Sequence, residues 1–592
     1  MVVDLIVAAL PLVVVAVLLV GLLWPATRAM PIAWIVALAV AFIWWNNPPD
    51  YLVGSTFVGV MTALSILWIV FGALVLLYTL MQAGAFDRIN RGFTAISDDR
   101  RVQIVLLAFF LATFIEGAAG FGTPAAVVAP LLLALGFPAL AAVIAAIIGH
   151  IIAVTYGAVG TPIIIGIRDP LGIYEDQIVA DGGMTVVEYS NNVAAWAATY
   201  HALAGFVMPL FAVGMVVYFF SPPGERSIQP ALSVWPLCLF AGISFAIPYW
   251  ISAWFITAEF PSLIGSMVGG AITVALLRRG YFLPDDEWDF PPREEWPAHW
   301  VGTIEPGGEE VDAPGVRDDG PSMSLLKAWS PYIILIVLLI VTRVVDPISE
   351  TINDAAIGVS FAIAGIGEFT LGMVIAWSGM FGYENLNASI AWVNVPGFWL
   401  ILSALIAIAI YDMSGEQVKA AWGEAAEKLV APFIALVFVI AMVQVMIQSG
   451  QAPGAPGAGS MIEILAIATA NATGFAYPAI AALIGALAAA MVGSNTVSNI
   501  TFGGFQFTAA HELGLPSQII VGTQAVGGAI GNLVAIHNVV AALATVGLVG
   551  QEGRVIRLNL IPLFYYAAMV GFWTMVFVYV MPDVWPAVFD VY

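Results

Sequence analysis

The chain has 592 residues, of which 61% are hydrophobic and only 9% are charged, with a mean hydropathy of +0.98. This composition excludes a soluble globular protein and predicts an all-α polytopic protein of the plasma membrane, with the lipid bilayer as its surroundings. The formal net charge of −22 favours surfaces adapted to high salt, where screening removes self-repulsion; a single acidic linker is the alternative explanation. No nucleic-acid partner is expected.

Twelve apolar runs approach or exceed the length of about 20 residues that a spanning helix needs. The first run is expected to be a spanning helix and not a signal peptide, because no Lys or Arg precedes it and no small-residue cleavage site follows it. The twelve predicted spans are residues 3–23, 30–45, 55–82, 138–158, 199–220, 231–251, 261–277, 330–345, 396–411, 430–448, 516–540 and 559–581.

Two further segments, residues 102–136 and 476–513, are predicted to be re-entrant hairpins. In the first, three glycines, a proline and Glu116 separate two apolar runs that are each too short to span. In the second, Gly493 opens a run of small and polar residues that ends at Asn499. Bare backbone at membrane depth is tolerated only where protein buries it or where it lines a watery cavity, so both breaks predict a binding site.

Basic residues predict the orientation, because short cytoplasmic loops collect Arg and Lys. All four basic clusters share one side only if each hairpin enters and leaves the membrane by the same face. The N- and C-termini are then outside, and residues 278–328 form an acidic, proline-rich and poorly ordered cytoplasmic linker. The clusters are Arg88 with Arg91, Arg100 and Arg101; Arg278 with Arg279; Lys419 with Lys428; and Arg554 with Arg557.

The membrane portions on either side of the linker, residues 1–277 and 329–592, are predicted to form an inverted repeat. A similar four-residue pattern closes each hairpin, Leu135-Gly136-Phe137-Pro138 in the first and Leu513-Gly514-Leu515-Pro516 in the second. By the charge pattern, the spans ahead of the two hairpins run in opposite directions. Secondary transporters with this architecture bind substrate and coupling ion at broken helices near the midplane. A chance coincidence of the short pattern is the alternative.

Short hydroxyl and amide side chains at the helix breaks predict a site for a small ligand. The N-termini of half-helices attract an anion, and side-chain oxygens can hold a cation. Alternatively, these small residues only allow helices to pack closely. The candidate substrate-binding residues are Gly120, Gly122, Thr123, Thr161, Ser494, Asn495, Thr496, Ser498, Asn499 and Gln506.

Three titratable residues are candidates for proton coupling. Glu116 is the only carboxylate in the first hairpin, where a charge is costly, so it either carries a proton or caps its helix. His150 and His537 lie in the helices that follow the two hairpins, although an interhelical hydrogen bond would also explain each; His201 is expected to be structural. No metal, cofactor or catalytic residue is expected, since the sequence has no HExxH motif, no metal-spaced cluster and no Ser/His/Asp set.

The break from Phe114 to Pro124 and the motif Gly157-Ala158-Val159-Gly160-Thr161-Pro162 resemble the hallmark of the lactate permease family. Gly493-Ser494-Asn495-Thr496 and the stretch from Ala544 to Glu552 resemble its C-terminal signature. The resemblance covers most of the membrane portion. It implies a proton-coupled importer of small 2-hydroxy monocarboxylates such as lactate and glycolate, and a homo-oligomer is compatible with it.

Two positions depart from the family pattern. His150 stands where relatives have Asn, and Asn532 stands where they have a lysine that would pair with a substrate carboxylate. Helix N-termini, Thr123, Thr161 or a protonated His537 are expected to compensate. The Ser-Asn-Thr triplet also resembles a motif of dicarboxylate sodium symporters, so a sodium-coupled carboxylate symporter is the alternative. A channel would require a continuous polar pore, and the sequence contains no motif of a membrane-embedded enzyme.

Overall fold

The computed structural model describes residues 2–581 except residues 23, 95, 223, 225, 308–322, 355, 456 and 458. Ten helices in this part of the chain are long and apolar enough to cross a membrane, or up to twelve if each of two bent helix pairs is one span. The bent pairs are Val186–Gly205 with Met208–Phe219, at 40°, and Ser517–Val534 with Ile536–Thr545, at 44°. The prediction of an all-α polytopic membrane protein is therefore confirmed.

The chain divides into two compact units, and each draws on both sides of the linker. Unit 1 comprises Met1–Gln82, Ser330–Tyr477 and Ile500–Ser517, and unit 2 comprises Ala83–Trp329, Pro478–Asn499 and Gln518–Tyr592. The predicted repeat relates the two sequence halves, so it does not correspond to these units. It stays a prediction.

Unit 1 is built around two long helices, Pro49–Gln82 and Gly415–Gln448. They pack closely at Gly59, where any side chain would overlap the backbone of Ala441, and small residues at such contacts let membrane helices approach. The other helices with residues in this unit are Val2–Ala16, Ala26–Ile43, Leu325–Val344, Asp346–Asn353, Pro396–Tyr411, Met461–Thr473 and the C-terminal part of Asn495–Glu512.

A four-stranded antiparallel sheet lies between two predicted spans, residues 330–345 and 396–411. Its strands are β1 (Gly358–Ile363), β2 (Gly367–Gly372), β3 (Ile375–Ser378) and β4 (Ala388–Ile390), in the order β1-β2-β3-β4. Phe361 pairs with Phe369, which pairs with Trp377, so the three rings stack across neighbouring strands. Such cross-strand aromatic pairs stabilise small sheets.

Unit 2 contains both helix breaks that the sequence singled out. The first hairpin has arms Arg100–Ala118 and Thr123–Ala134, and the second has arms Tyr477–Val492 and Asn495–Glu512, whose residues 478–499 belong to this unit. Each hairpin precedes a broken helix. The remaining helices are Ala85–Thr94, Glu175–Gly182, Val186–Gly205, Met208–Phe219, Trp235–Phe255, Pro261–Leu277 and Glu552–Val580.

Part of the linker is docked onto unit 2, so the expected poor order does not extend to residues 286–307. The buried guanidinium of Arg101 bonds to Asp99 at 2.7 Å and to Asp286 at 3.1 Å, and it lowers the pKa of the Asp286 carboxyl. The amide N–H of Gly307 donates to the carbonyl of Leu133 at 2.9 Å. Residues 308–322 of the predicted linker lie outside the described residues.

Candidate functional site

The first hairpin turns through three consecutive residues in the left-handed backbone region. Gly120, Phe121 and Gly122 have φ of +60°, +52° and +79°, which glycine adopts freely and other residues do not. The turn closes with a hydrogen bond of 3.0 Å from the N–H of Thr123 to the carbonyl of Gly120, and Pro124 then starts the second arm. The Gly-Thr-Pro sequence thus ends a left-handed turn and begins a helix.

The same turn recurs in the first broken helix, after Ala139–Gly149 and the 3₁₀ segment Ile151–Tyr156. Ala158, Val159 and Gly160 are all left-handed, and Thr161-Pro162 follows them. The two turns touch, since a Cβ on Gly120 would lie 3.0 Å from the amide nitrogen of Ala158. One short motif, used twice, therefore places two helix starts side by side.

The second hairpin turns at Gly493 and Ser494, and its neighbours hold it in place. The hydroxyl of Ser498 donates to the carbonyl of Gly485 on the other arm at 2.9 Å, and it accepts a bond of 3.0 Å from Gln524 in the second broken helix. Asn499 donates to the carbonyl of Pro162 in the first broken helix at 3.0 Å. These bonds tie this tip to both broken helices.

Both hairpin tips and both broken helices line one small cavity within unit 2. Its volume is about 30 Å³, which is room for one or two water molecules. The second broken helix contributes the turn after Ser517–Gly531 and the start of Ile536–Thr545. The cavity is lined by Glu116, Gly120, Phe121, Gly122, His150, Val154, Gly157, Pro162, Gly493, Ser494, Asn495, Thr496, Asn532 and Asn538.

Glu116 and His150 face each other across this cavity, and both are about 95% buried. Nε2 of His150 lies 4.0 Å from Oε2 of Glu116. The other ring nitrogen, Nδ1, lies 2.6 Å from the carbonyl oxygen of Ala146, so it must be the protonated nitrogen that donates there. In the neutral ring Nε2 is then a bare acceptor that points toward the carboxyl group.

Asn495 has the strongest unmet hydrogen-bonding capacity in the cavity. Its side chain is 3% exposed, and neither its Oδ1 nor its Nδ2 has a hydrogen-bond partner among the described residues. A buried amide without partners costs about 1–3 kcal/mol, so natural proteins retain such groups mainly where a water, an ion or a ligand completes them. Asn495 also opens the second arm of its hairpin, so its amide lies at a helix N-terminus.

Backbone donors also converge on the cavity. The N–H groups of Gly120, Phe121 and Gly122 make no hydrogen bond to any described residue, and they precede the N-terminus of Thr123–Ala134. The helix that starts at Asn495 presents a second N-terminus. Free N–H groups and the positive end of the helix dipole favour an anion at both places.

Seven of the thirteen candidate residues line the cavity, and six do not. Thr161 bonds to its own turn at the carbonyl of Ala158, and Gln506 lies in unit 1, where Tyr477 donates to it at 2.6 Å. The ring of His537 packs against Gly493 outside the lining. The lining candidates are Glu116, His150, Gly120, Gly122, Ser494, Asn495 and Thr496; the others are Thr123, Thr161, Ser498, Asn499, Gln506 and His537.

Asn538 and Gly157 line the cavity although the sequence did not nominate them. Asn538 directly follows the candidate His537. The helix break before these two residues was the sequence signal that could have identified Asn538. His201, expected to be structural, is buried and bonded to Thr155 at 2.7 Å and to Tyr566 at 2.5 Å. Since Thr155 donates to the carbonyl of Ala525, His201 donates to Thr155 and accepts from Tyr566.

A many-helix membrane protein with a polar cavity at paired helix breaks is a multi-pass transport protein. The model of the family described as L-lactate permease matches residues 4–581, so the chain belongs to that family.

A putative L-lactate permease of Haemophilus influenzae is 29% identical over 87% of this chain and 87% of its own length. An L-lactate permease of Salmonella typhimurium is 26% identical, covering 92% and 91%, and a glycolate permease of Escherichia coli is 25% identical, covering 92% and 90%. Among solved structures, Neisseria gonorrhoeae MtrF aligns with a TM-score of 0.44 at 12% identity, over 94% of this chain and 96% of that chain.

Proposed function

We propose that this protein is a secondary active symporter that imports small 2-hydroxy monocarboxylates, such as lactate and glycolate, together with protons. The substrate class follows the relatives described as L-lactate and glycolate permeases. The observation that carries the coupling is the pairing of Glu116 with His150 in a cavity that also presents free backbone donors and Asn495.

Charge balance supports proton coupling. Glu116 and His150 are the only ionisable residues that line the cavity in the described part of the chain. No lysine or arginine lies there, so an ionised Glu116 would strongly repel a substrate carboxylate close to it. The repulsion is strong because the effective dielectric constant of a buried site is low. A proton on the pair removes that repulsion. Anion binding and proton binding therefore favour each other.

The pair can hold such a proton at a defined place. With Nδ1 donating to Ala146, one proton serves the gap between Nε2 of His150 and Oε2 of Glu116, either as a carboxylic acid beside a neutral imidazole or as a carboxylate beside an imidazolium. A second proton makes the pair cationic. This cation takes the role that the family pattern gives to a lysine, where Asn532 stands in this chain.

The carboxylate binds, in this proposal, to the N–H groups of Gly120 to Gly122 and to the amide of Asn495. The cavity of about 30 Å³ has room for waters but not for a three-carbon acid, so transport requires the tips to separate. The glycines at both tips allow backbone movement there.

Sodium coupling is the second candidate, because the unpartnered Oδ1 of Asn495 could serve as a cation ligand near the hydroxyls of Ser494 and Thr496. Proteoliposomes separate the candidates when a pH gradient and a sodium gradient are imposed in turn and labelled lactate uptake is followed. We expect uphill uptake with the pH gradient alone. Uptake driven only by sodium would replace the proton with sodium in the mechanism.

The variant Glu116→Gln tests whether Glu116 carries the coupled proton. It should lose proton-driven uptake but retain exchange of labelled for unlabelled lactate, because the neutral amide mimics the protonated state. Uphill transport by this variant would exclude Glu116 as the carrier. Absence of counterflow in the wild-type protein would argue instead for a channel.

A further inference from the structure

The side-chain amide of Asn538 has its orientation fixed by a chain of hydrogen bonds. Nδ2 of Asn532 donates to the carbonyl oxygens of Gly528 at 3.0 Å and Ala529 at 3.3 Å. Backbone carbonyls can only accept, so the nitrogen and oxygen of Asn532 cannot be exchanged. Its Oδ1 is therefore the acceptor for Nδ2 of Asn538, at 2.8 Å. The amino group of Asn538 is committed to Asn532.

The oxygen of Asn538 is consequently the free end of the amide. It lies 2.9 Å from the position that a Cβ on Gly122 would occupy, at the tip of the first hairpin. No donor among the described residues bonds to this oxygen, and both Asn538 and Gly122 line the cavity. The cavity wall thus carries an acceptor beside the free N–H groups of Gly120 to Gly122.

We propose that Oδ1 of Asn538 accepts the hydrogen bond of the substrate's 2-hydroxyl group and so selects 2-hydroxy acids over 2-oxo acids. This inference rests on the proposed function. A 2-hydroxy acid has its donor on the carbon next to the carboxylate, so it meets the N–H groups and the acceptor together. A 2-oxo acid turns a second acceptor toward Oδ1, and an unsubstituted acid leaves Oδ1 without a hydrogen-bond partner.

Asn532 acts as a positioning residue in this scheme, because it decides which end of the Asn538 amide faces the cavity. If Asn532 is replaced by Leu, the amide of Asn538 can rotate and present its NH₂ group. A carbonyl at the 2-position then finds a donor. Preference should shift from 2-hydroxy toward 2-oxo acids, an effect that simple loss of packing does not produce.

The test measures inhibition of labelled lactate counterflow in proteoliposomes by unlabelled L-lactate, pyruvate and propionate. In the wild-type protein, L-lactate should compete best. Asn538→Leu should weaken L-lactate by about tenfold, the value of one hydrogen bond, and should not weaken propionate. Asn532→Leu should reduce the factor by which L-lactate inhibits counterflow more strongly than pyruvate does.

Equal weakening of all three acids in Asn538→Leu, or an unchanged ratio in Asn532→Leu, would overturn the assignment while leaving the proposed function intact. A wild-type protein that transports none of the three would remove the proposed function itself. If Asn538→Leu does not fold, the preference of Asn532→Leu for L-lactate over pyruvate decides the assignment. The shift in melting temperature that each acid gives to this variant in detergent provides a second measurement.

Discussion

Gly157 leaves no room for a side chain beside Glu116, because a Cβ on Gly157 would overlap Oε1 of that carboxyl group. The other carboxyl oxygen, Oε2, faces His150 at 4.0 Å. The carboxyl group is therefore held between the start of the half-helix after the break and the imidazole that follows Gly149. Its position is set by backbone on one side and by a titratable ring on the other.

The variant Gly157→Ala should therefore displace the carboxyl group and reduce proton-driven lactate uptake by tenfold or more, since catalytic and transport geometries tolerate little misplacement. Uptake and exchange in proteoliposomes measure this. Gly172→Ala is the matched control, because a Cβ on Gly172 meets nothing within 4 Å. Normal uptake by Gly157→Ala would mean that the carboxyl position does not matter.

Docking of the linker should depend on pH through Asp286. Arg101 holds the pKa of Asp286 below its ordinary value of 3.8, so the pair stabilises the folded state above that value and loses its contribution as pH falls through the lower folded-state pKa. Asp286→Asn should lower the melting temperature slightly at about pH 6, and the difference from wild type should disappear once the pH falls below the lowered pKa of Asp286.

The neighbouring carboxyl of Asp285, which makes no bond to Arg101 among the described contacts, provides the control. Asp285→Asn should leave the melting temperature unchanged throughout. A difference between Asp286→Asn and wild type that persists undiminished at the lowest pH would show that packing, and not the ion pair, docks this segment.

The hairpin tips were predictable from the sequence because their physics is local. Glycine, proline and a carboxylate inside an apolar run leave backbone groups that lipid cannot satisfy, and the structure places both breaks at one cavity. The backbone geometry shared by the turns before Thr123-Pro124 and Thr161-Pro162, with Phe121 and Val159 left-handed, was not predicted.

Side-chain roles were harder to predict because they depend on which face of a helix points inward. Ser498 and Asn499 follow the tip by about one helical turn, which directs them to Gln524 and Pro162 and away from the cavity. Asn538 was not nominated because the orientation of its amide depends on Asn532, six positions earlier, across a break. The sheet at residues 358–390 was missed because short strands in a loop give a weak alternating signal beside long apolar helices.

The orientation inferred from the basic residues stays a prediction, and cysteine labelling tests it. The native Cys238 is buried, so it gives little background with a membrane-impermeant maleimide. Glu294→Cys, in the linker, should be labelled only from the cytoplasm, and Ser360→Cys, in strand β1, only from outside; both positions are exposed. Labelling of Glu294→Cys only from outside and of Ser360→Cys only from the cytoplasm would contradict the predicted orientation, which depends on the first hairpin entering and leaving by the same face.

Asn495 offers the sharpest separation between a binding role and a structural role. If its amide is retained for a ligand, Asn495→Ala should impair uptake of every substrate but leave the empty protein equally stable or up to about 2 kcal/mol more stable, because an unsatisfied buried amide is removed.

Ser498→Ala is the structural counterpart, three residues along the same helix. It loses the hydrogen bonds to the carbonyl of Gly485 and from the amide of Gln524, so it should destabilise the protein by about 1–3 kcal/mol. Melting temperatures in detergent and lactate uptake, measured on both variants, give opposite patterns if the two roles are as assigned. A destabilised Asn495→Ala with normal uptake per folded molecule would remove Asn495 from the site.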